Sequence, residues 1–316
     1  MKRYRWTFWT SILLLVASLF VAYFGFRTPS TTTVQRNRVS VIVNNSTSGR
    51  WARFQAGLEQ AADDYDISLN YVFTSEFASL SEEEKVIRNE AQSADAILLE
   101  LVDSTNASEL IGELCRTTVL GLVETDATAE VGDNFASITA DNSGIGIALA
   151  EVIAEEYDLP SGTVTIGILS GNQKMDSMRE RTSAFTERIK ELGGDVQWIV
   201  QGSSDWTRQR TTDVVVAMDN DALENAVDLL ETSEETPALY GVGCSDKTIF
   251  NMDRGLIRAM VVPNDFQMGY LALMDVNSRI DAPGIPMIHR EISYDVVKAS
   301  NMFDSYNQTI LFPIIN

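Results

Sequence analysis

Short β-branched runs alternating with helical stretches, in two successive series, constrain this chain more than any other feature. The unit from Arg38 to Tyr65 sets the pattern. Val39, Val41 and Val43, with Ile42 between them, read as a buried parallel strand. The run stops at Asn44-Asn45-Ser46-Thr47-Ser48-Gly49, whose residues favour turns and helix caps. Trp51, Phe54, Leu58, Ala61, Ala62 and Tyr65 then recur at helical spacing and predict a helix with one face for a sheet. Ligands of open α/β sheets bind outside the carboxyl ends of the strands. The Asn44–Trp51 loop, with amides, hydroxyls, Arg50 and an indole, is therefore the first candidate site; packing against the sheet is the alternative role for Trp51.

The alternation continues with strands at Leu69–Thr74, Ala96–Val102 and Val119–Val123, and helices beginning near Ser81 and Thr105. Phe135–Thr139 is a further strand, and Asp141-Asn142-Ser143-Gly144 caps a helix over Ile145–Tyr157. Pro160-Ser161-Gly162 marks a break. The second series has strands at Val164–Leu169, Val196–Val200, Val214–Met218, Leu239–Val242 and Leu256–Val262. Its helices are Met178–Leu192 and Ala222–Leu230, and Met268–Val276 with a strand-bearing tail from Ile292 completes the two lobes. Strands alternating with helices imply parallel sheets, and two series imply two lobes.

The formal charge of −21 excludes nucleic acid as a partner class, because phosphate binding needs clustered Lys and Arg. The Glu82-Glu83-Glu84 run reads as a solvated first helical turn. Cys115 and Cys244 stand too far apart for a disulfide framework and read as separate buried thiols. His289 is the only histidine, which leaves little for a Ser-His-Asp triad or a multi-His metal site. There is no Gly-x-Gly-x-x-Gly, P-loop or nucleophile elbow, so neither an enzyme nor a cofactor is expected.

Ahead of the fold, Lys2, Arg3 and Arg5 precede an uncharged segment of 21 residues, Trp6–Phe26. About 20 apolar residues span a bilayer, so one transmembrane helix is expected, with a cytoplasmic amino terminus and everything after Arg27 outside the cell. A cleaved signal peptide is the rival. Aromatic residues (Phe20, Tyr23, Phe24, Phe26) crowd the end where a cleavage site needs small ones, which favours an uncleaved anchor. Thr28–Asn37 reads as a short tether.

From Arg38 to Val297 the chain resembles the ribose-binding type of class I periplasmic solute-binding protein, whose fold the effector domains of lac-repressor relatives share. The residues that carry the resemblance are Val39–Trp51, Ile138-Thr-Ala-Asp-Asn-Ser-Gly144, Met178-Arg-Glu-Arg-Thr-Ser-Ala-Phe185, Ala217-Met-Asp-Asn-Asp-Ala222, Tyr240-Gly-Val-Gly243 and Met268-Gly-Tyr270. A membrane segment precedes the fold where repressors carry a helix-turn-helix.

The resemblance implies two doubly wound parallel-sheet lobes, 38–140 plus 264–286 and 141–263 plus 287–316, joined by crossovers near Ala140, Asn264 and Met287. It also implies a sugar held between Trp51 and Trp206. Arg179 matches the family's hydroxyl-binding arginine, Asn220 an asparagine ligand, and Glu124 the carboxylate after the fourth strand, with Asp126 as that carboxylate's alternative. Arg50 belongs to the same set. Gly243-Cys244-Ser245-Asp246 replaces the family's Gly-Phe-Asp-Gly, so Ser245 or Asp246 stands for the ligand aspartate. Pro263-Asn264-Asp265 replaces an expected glutamine. The stretch between Val200 and Val214 is too short for the usual helix.

The expected function is a membrane-anchored extracytoplasmic receptor for a sugar or sugar-like molecule, which either serves an ABC sugar importer (its permease the partner) or signals to a membrane histidine kinase.

Overall fold

The computed structural model describes residues 36–125, 135–201, 203–233 and 236–312. The chain divides into two compact units, 1–36 and 37–316, and the fold below is that of the second. The expected membrane span at Trp6–Phe26 lies outside the described residues. Among those described, no helix is long and apolar enough to cross a membrane.

The strands are β1 (Arg38–Ile42), β2 (Ser68–Tyr71), β3 (Ala96–Leu99), β4 (Val119–Val123), β5 (Phe135–Ala140), β6 (Ile166–Leu169), β7 (Val196–Val200), β8 (Val214–Ala217), β9 (Ala238–Val242), β10 (Ile257–Pro263), β11 (His289–Ile292) and β12 (Tyr294–Lys298). Ten helices accompany them among the described residues: α1 (Ala52–Tyr65), α2 (Leu80–Glu90), α3 (Ser108–Leu114), α4 (Asn142–Glu156), α5 (Asp176–Glu191), α6 (Ser203–Trp206), α7 (Asn220–Glu231), α8 (Asp246–Asp253), α9 (Asp265–Asp281) and α10 (Ser305–Leu311).

Two six-stranded sheets result, ordered β11-β5-β4-β3-β1-β2 and β12-β10-β9-β8-β6-β7. The two orders are equivalent, so the lobes are topological copies. All pairings are parallel except β10 with β12. Because each inner strand is buried on both faces, its side chains alternate between two cores. In β3, Ala96 and Leu98 join one buried cluster while Ile97 and Leu99 join another. In β8, Val214 and Val216 are divided in the same way from Val215 and Ala217.

The chain passes between lobes at Ala140–Asp141, at Pro263–Asn264 and at Ser293, between β11 and β12. The last crossing corrects the expected one near Met287. His289–Ile292 still pairs with β5 of the first sheet, so the exchange waits until that strand is used up. Asn37, expected as the end of the tether, already belongs to the fold, since its Nδ2 donates to Asn277 and Asp281 on α9 at 2.9 and 2.8 Å.

Two further expectations are corrected. Glu83 is not solvated: it is 0% exposed and accepts a hydrogen bond from Val102 N at 3.0 Å, while Glu82 and Glu84 face solvent. A helix, α8, follows β9, where no helix was expected between the strands Leu239–Val242 and Leu256–Val262; Ser245 and Thr248 close its first turn as a reciprocal cap.

Glycine sets the distance between the paired helices. A Cβ on Gly57 of α1 would overlap the carbonyl oxygen of Phe266, and one on Gly269 of α9 that of Phe54. In the second lobe a Cβ on Gly146 of α4 would overlap the carbonyl oxygen of Arg181 on α5. Each lobe therefore holds one helix pair at backbone contact beside the crossovers.

Candidate functional site

Both sheets present the carboxyl ends of their strands to the gap between the lobes, so the loops that follow β1, β3, β4, β8, β9 and β10 line it. After β1, Ser48 caps a single turn over Gly49–Trp51. That turn aims Arg50 at Glu100, the residue after β3, and the two form a bidentate pair at 3.0 and 2.8 Å. Asn44 N adds a third bond to Glu100 at 3.2 Å. Burial pushes the Glu100 carboxyl above the ordinary carboxylate range, and the Arg50 charge pulls it back. Burial likewise works against the Arg50 charge, but Glu100 outweighs it and the guanidinium is held above its usual value. The two-pronged geometry is that of an ionised pair.

Trp51 is only 4% exposed. Arg50 Cζ lies 4.0 Å from its ring centroid, its Nε1 donates to Asn44 O at 3.1 Å, and Phe54 meets it edge-on at 5.4 Å. The indole thus serves both proposed roles: it packs on the sheet and forms one wall of the gap.

The second lobe answers with Arg181. Its Nε and Nη2 donate to Asn142 Oδ1 at 3.1 and 2.6 Å, and its Nη1 to Met218 O at 2.5 Å. Burial lowers its pKa. Asn142 in turn donates to Glu124 at 3.0 Å. Glu124 adopts a left-handed backbone with φ of 52°, a conformation that costs a side-chain-bearing residue roughly 1–3 kcal/mol and that turns its carboxylate towards the gap. Asn220 bridges α7 to the β9 loop: its Oδ1 accepts from Cys244 N at 3.1 Å and its Nδ2 donates to Glu224 at 2.8 Å.

These groups enclose an inner chamber of about 60 Å³, floored by Trp51, Phe54, Met178 and Met268. Arg50, Met178 and Asp219 also line an outer cleft of about 700 Å³, a volume in the range of small-molecule sites. The lobes meet across the lip. Ser48 Oγ donates to Asp221 at 2.6 Å, Asn172 Nδ2 to Val102 O at 2.7 Å, and Asp176 N to Ser104 Oγ at 2.9 Å. On the far side Arg53, buried on α1, donates to the carbonyls of Cys244, Ile310 and Leu311.

Of the residues expected from sequence, Arg50, Trp51, Glu124 and Asn220 line the inner chamber. Arg179 does not. Its side chain is 50% exposed, pairs with Asp176 and donates to Thr105 Oγ1 at 3.1 Å, which makes it a lip residue. The α5 face turned inward carries Met178, Arg181, Thr182 and Phe185, so the helical phase favours Arg181.

Trp206 lines neither the chamber nor the cleft; the single-turn α6 lays it against the core of the second lobe. The pair of facing indoles is therefore not assembled. Ser245 is spent as the cap of α8, and Asp246 is exposed on its first turn. Asp126 lies outside the described residues.

Sequence reading missed Glu100, Arg181, Asp219 and Asp265 as chamber residues. Glu100 directly follows a strand, Asp219 caps a helix at the gap and Asp265 opens one behind its cap Asn264, and those positions were the available signal.

A family model described as a periplasmic binding protein domain matches residues 39–282. No curated protein matches the chain. Among solved structures, a carbohydrate transporter solute-binding protein from Agrobacterium radiobacter in complex with D-arabinose is similar at a TM-score of 0.78 and 16% identity, covering 88% of this chain and 99% of that one. An ABC transporter solute-binding protein from Agrobacterium vitis bound to α-D-tagatopyranose has a TM-score of 0.78 at 14% identity, covering 88% and 100%. A chain of the XylFII–LytSN complex has a TM-score of 0.73 at 15% identity, covering 84% and 98%. These likenesses are of fold. Since the family model spans most of the chain and takes in the strand ends that line the gap, the chain belongs to the periplasmic binding protein family, whose members are binders rather than enzymes.

Proposed function

We propose that the protein is an extracytoplasmic receptor, anchored by its Trp6–Phe26 segment, that closes around a sugar or sugar-like molecule and serves an ABC sugar importer. The chamber carries this reading together with the outer cleft, which shares Arg50, Met178 and Asp219 with it and supplies the volume that a sugar ring needs. Two indole and phenyl walls, Trp51 and Phe54, adjoin fixed guanidinium and carboxylate groups, and this combination suits a ring with apolar faces and a rim of hydroxyls. The solved relatives bound to arabinose and tagatose support the ligand class.

A second reading, signalling to a membrane histidine kinase, is favoured by the relative solved with a second protein, LytSN. A thermal-shift screen of monosaccharides tests the binding claim. A ligand at about 100 times its Kd adds roughly 2.7 kcal/mol and raises Tm by several degrees. If no sugar shifts Tm, the reading fails. Uptake of the identified sugar in a deletion strain separates the two outputs: import predicts that it is lost, signalling that it persists.

A further inference from the structure

The charges around the chamber do not balance. Arg50 is committed to Glu100, and Arg181 spends its bonds on neutral oxygens of Asn142 and Met218. Three more carboxylates, Glu124, Asp219 and Asp265, line the same space, and among the described residues none of them lies in an ion pair. Glu124 accepts bonds from Asn142 Nδ2 and Ala140 N, and Asp219 caps α7 through Ala222 N at 2.7 Å. Asp265 accepts no hydrogen bond from the described residues. Burial and the neighbouring Glu124 push its carboxyl up to about 7, against the weaker pull of the Arg53, Arg181 and Arg50 charges, none of which is in an ion pair with it. The approach is acidic too. Glu76, Asp221 and Glu224 line the outer cleft, and its one lysine, Lys247, is taken by Asp228 at 2.6 Å.

A separate observation marks the chamber as built for a polar guest. Ser177 lines it at 2% exposure, and its hydroxyl has no hydrogen-bond partner. Buried hydroxyls are normally satisfied, so this one points to a partner supplied by the ligand.

We propose that the ligand is an amino sugar, with its protonated amine among Glu124, Asp219 and Asp265 and a ring hydroxyl at Ser177. This rests on the reading of the gap as a sugar site. A hydroxyl in place of the amine would still donate to these carboxylates but would leave the repulsion between Glu124 and Asp265 in place. The ammonium removes that repulsion and adds charge-assisted bonds.

Calorimetry on the full chain with glucosamine and galactosamine, each against its parent sugar and its N-acetyl derivative, tests the inference. The N-acetyl group keeps the nitrogen and removes its charge. The amino sugar should bind at least about tenfold tighter than both, an advantage that shrinks in high salt. In Asp265→Asn that ratio should fall severalfold; the Asp265 carboxylate accepts no hydrogen bond from the described residues, so the variant keeps the fold, which its Tm verifies. Parent sugars binding as tightly as their amines would overturn the amine assignment and leave the sugar receptor standing. No binding by any of the panel would overturn the amine assignment, and the wider monosaccharide screen would still decide the sugar reading. An unchanged ratio in Asp265→Asn would overturn the placement of the charge.

Discussion

Two arginines two residues apart on α5 have different fates, and the difference is measurable. Arg181 is buried against Asn142 and Met218 at the chamber, whereas Arg179 is half exposed at the lip. Replacing Arg181 by Met should weaken ligand binding at least about tenfold, since hydrogen bonds from charged groups are worth roughly 1.5–3 kcal/mol. Arg179→Ala should change affinity by less than about threefold, because exposed ion pairs contribute ~0–1 kcal/mol. Titration of both variants with one sugar decides it; equal losses would refute the assignment.

Glu83 makes a second residue-scale case. Burial, then the nearby charges of Glu100 and Asp103, push its carboxyl up to about 8. In the unfolded chain a glutamate titrates near ~4.3. Between those values the native state holds the extra proton, so stability falls as pH rises through that window, by up to a few kcal/mol. Glu83→Gln keeps an acceptor for Val102 N and should flatten the decline of Tm between about pH 5 and pH 8. A slope unaltered by the substitution would remove Glu83 as its source.

At the scale of elements, the helix pairs beside the crossovers position the site. Gly57 and Gly269 let α1 and α9 touch, and this contact places Phe54 and Met268 on the chamber floor. Gly57→Ala forces the axes apart, and overpacking of this kind costs about 1–3 kcal/mol. Tm should drop by several degrees and affinity should fall with it. The same substitution at Gly162, where φ is 67° and no atom crowds the space, costs only backbone strain and should spare affinity. Equal effects on binding at both positions would show that the helix contact does not govern the floor. Arg181 depends on the other pair in the same way, because Gly146 fixes how closely α5 lies against α4.

For the whole molecule, three crossovers make a hinge and the lip bonds make a latch. A guest touching both lobes favours the arrangement in which the lip is shut. Ser48→Ala with Asn172→Ala removes two of the cross-lip bonds, each worth about 0.5–1.5 kcal/mol. Ligand should then leave several-fold faster, and small-angle scattering should show a larger radius of gyration for the variant. Unchanged dissociation would mean that the lip bonds carry no part of closure.

Sequence alone determined the architecture. The β-branched runs around Val41, Leu98 and Val216 have no polar face, so they had to lie inside parallel sheets with helices on both sides. It also determined the loop with Arg50 and Trp51, because the strand, cap and helix signals there are local. What the tertiary structure decided were phases and lengths. Residues 179 and 181 differ by about 200° around a helix, and only the packing of α5 on α4 says which one faces the gap. Trp206 was lost to the site because the segment after β7 folds as a single turn that leaves the indole on the core. Glu82, Glu83 and Glu84 are one residue type in sequence, and burial alone separates the middle one. The charge excess of the chamber is likewise invisible along the chain, since Glu124, Asp219 and Asp265 line one space only when two lobes are brought together.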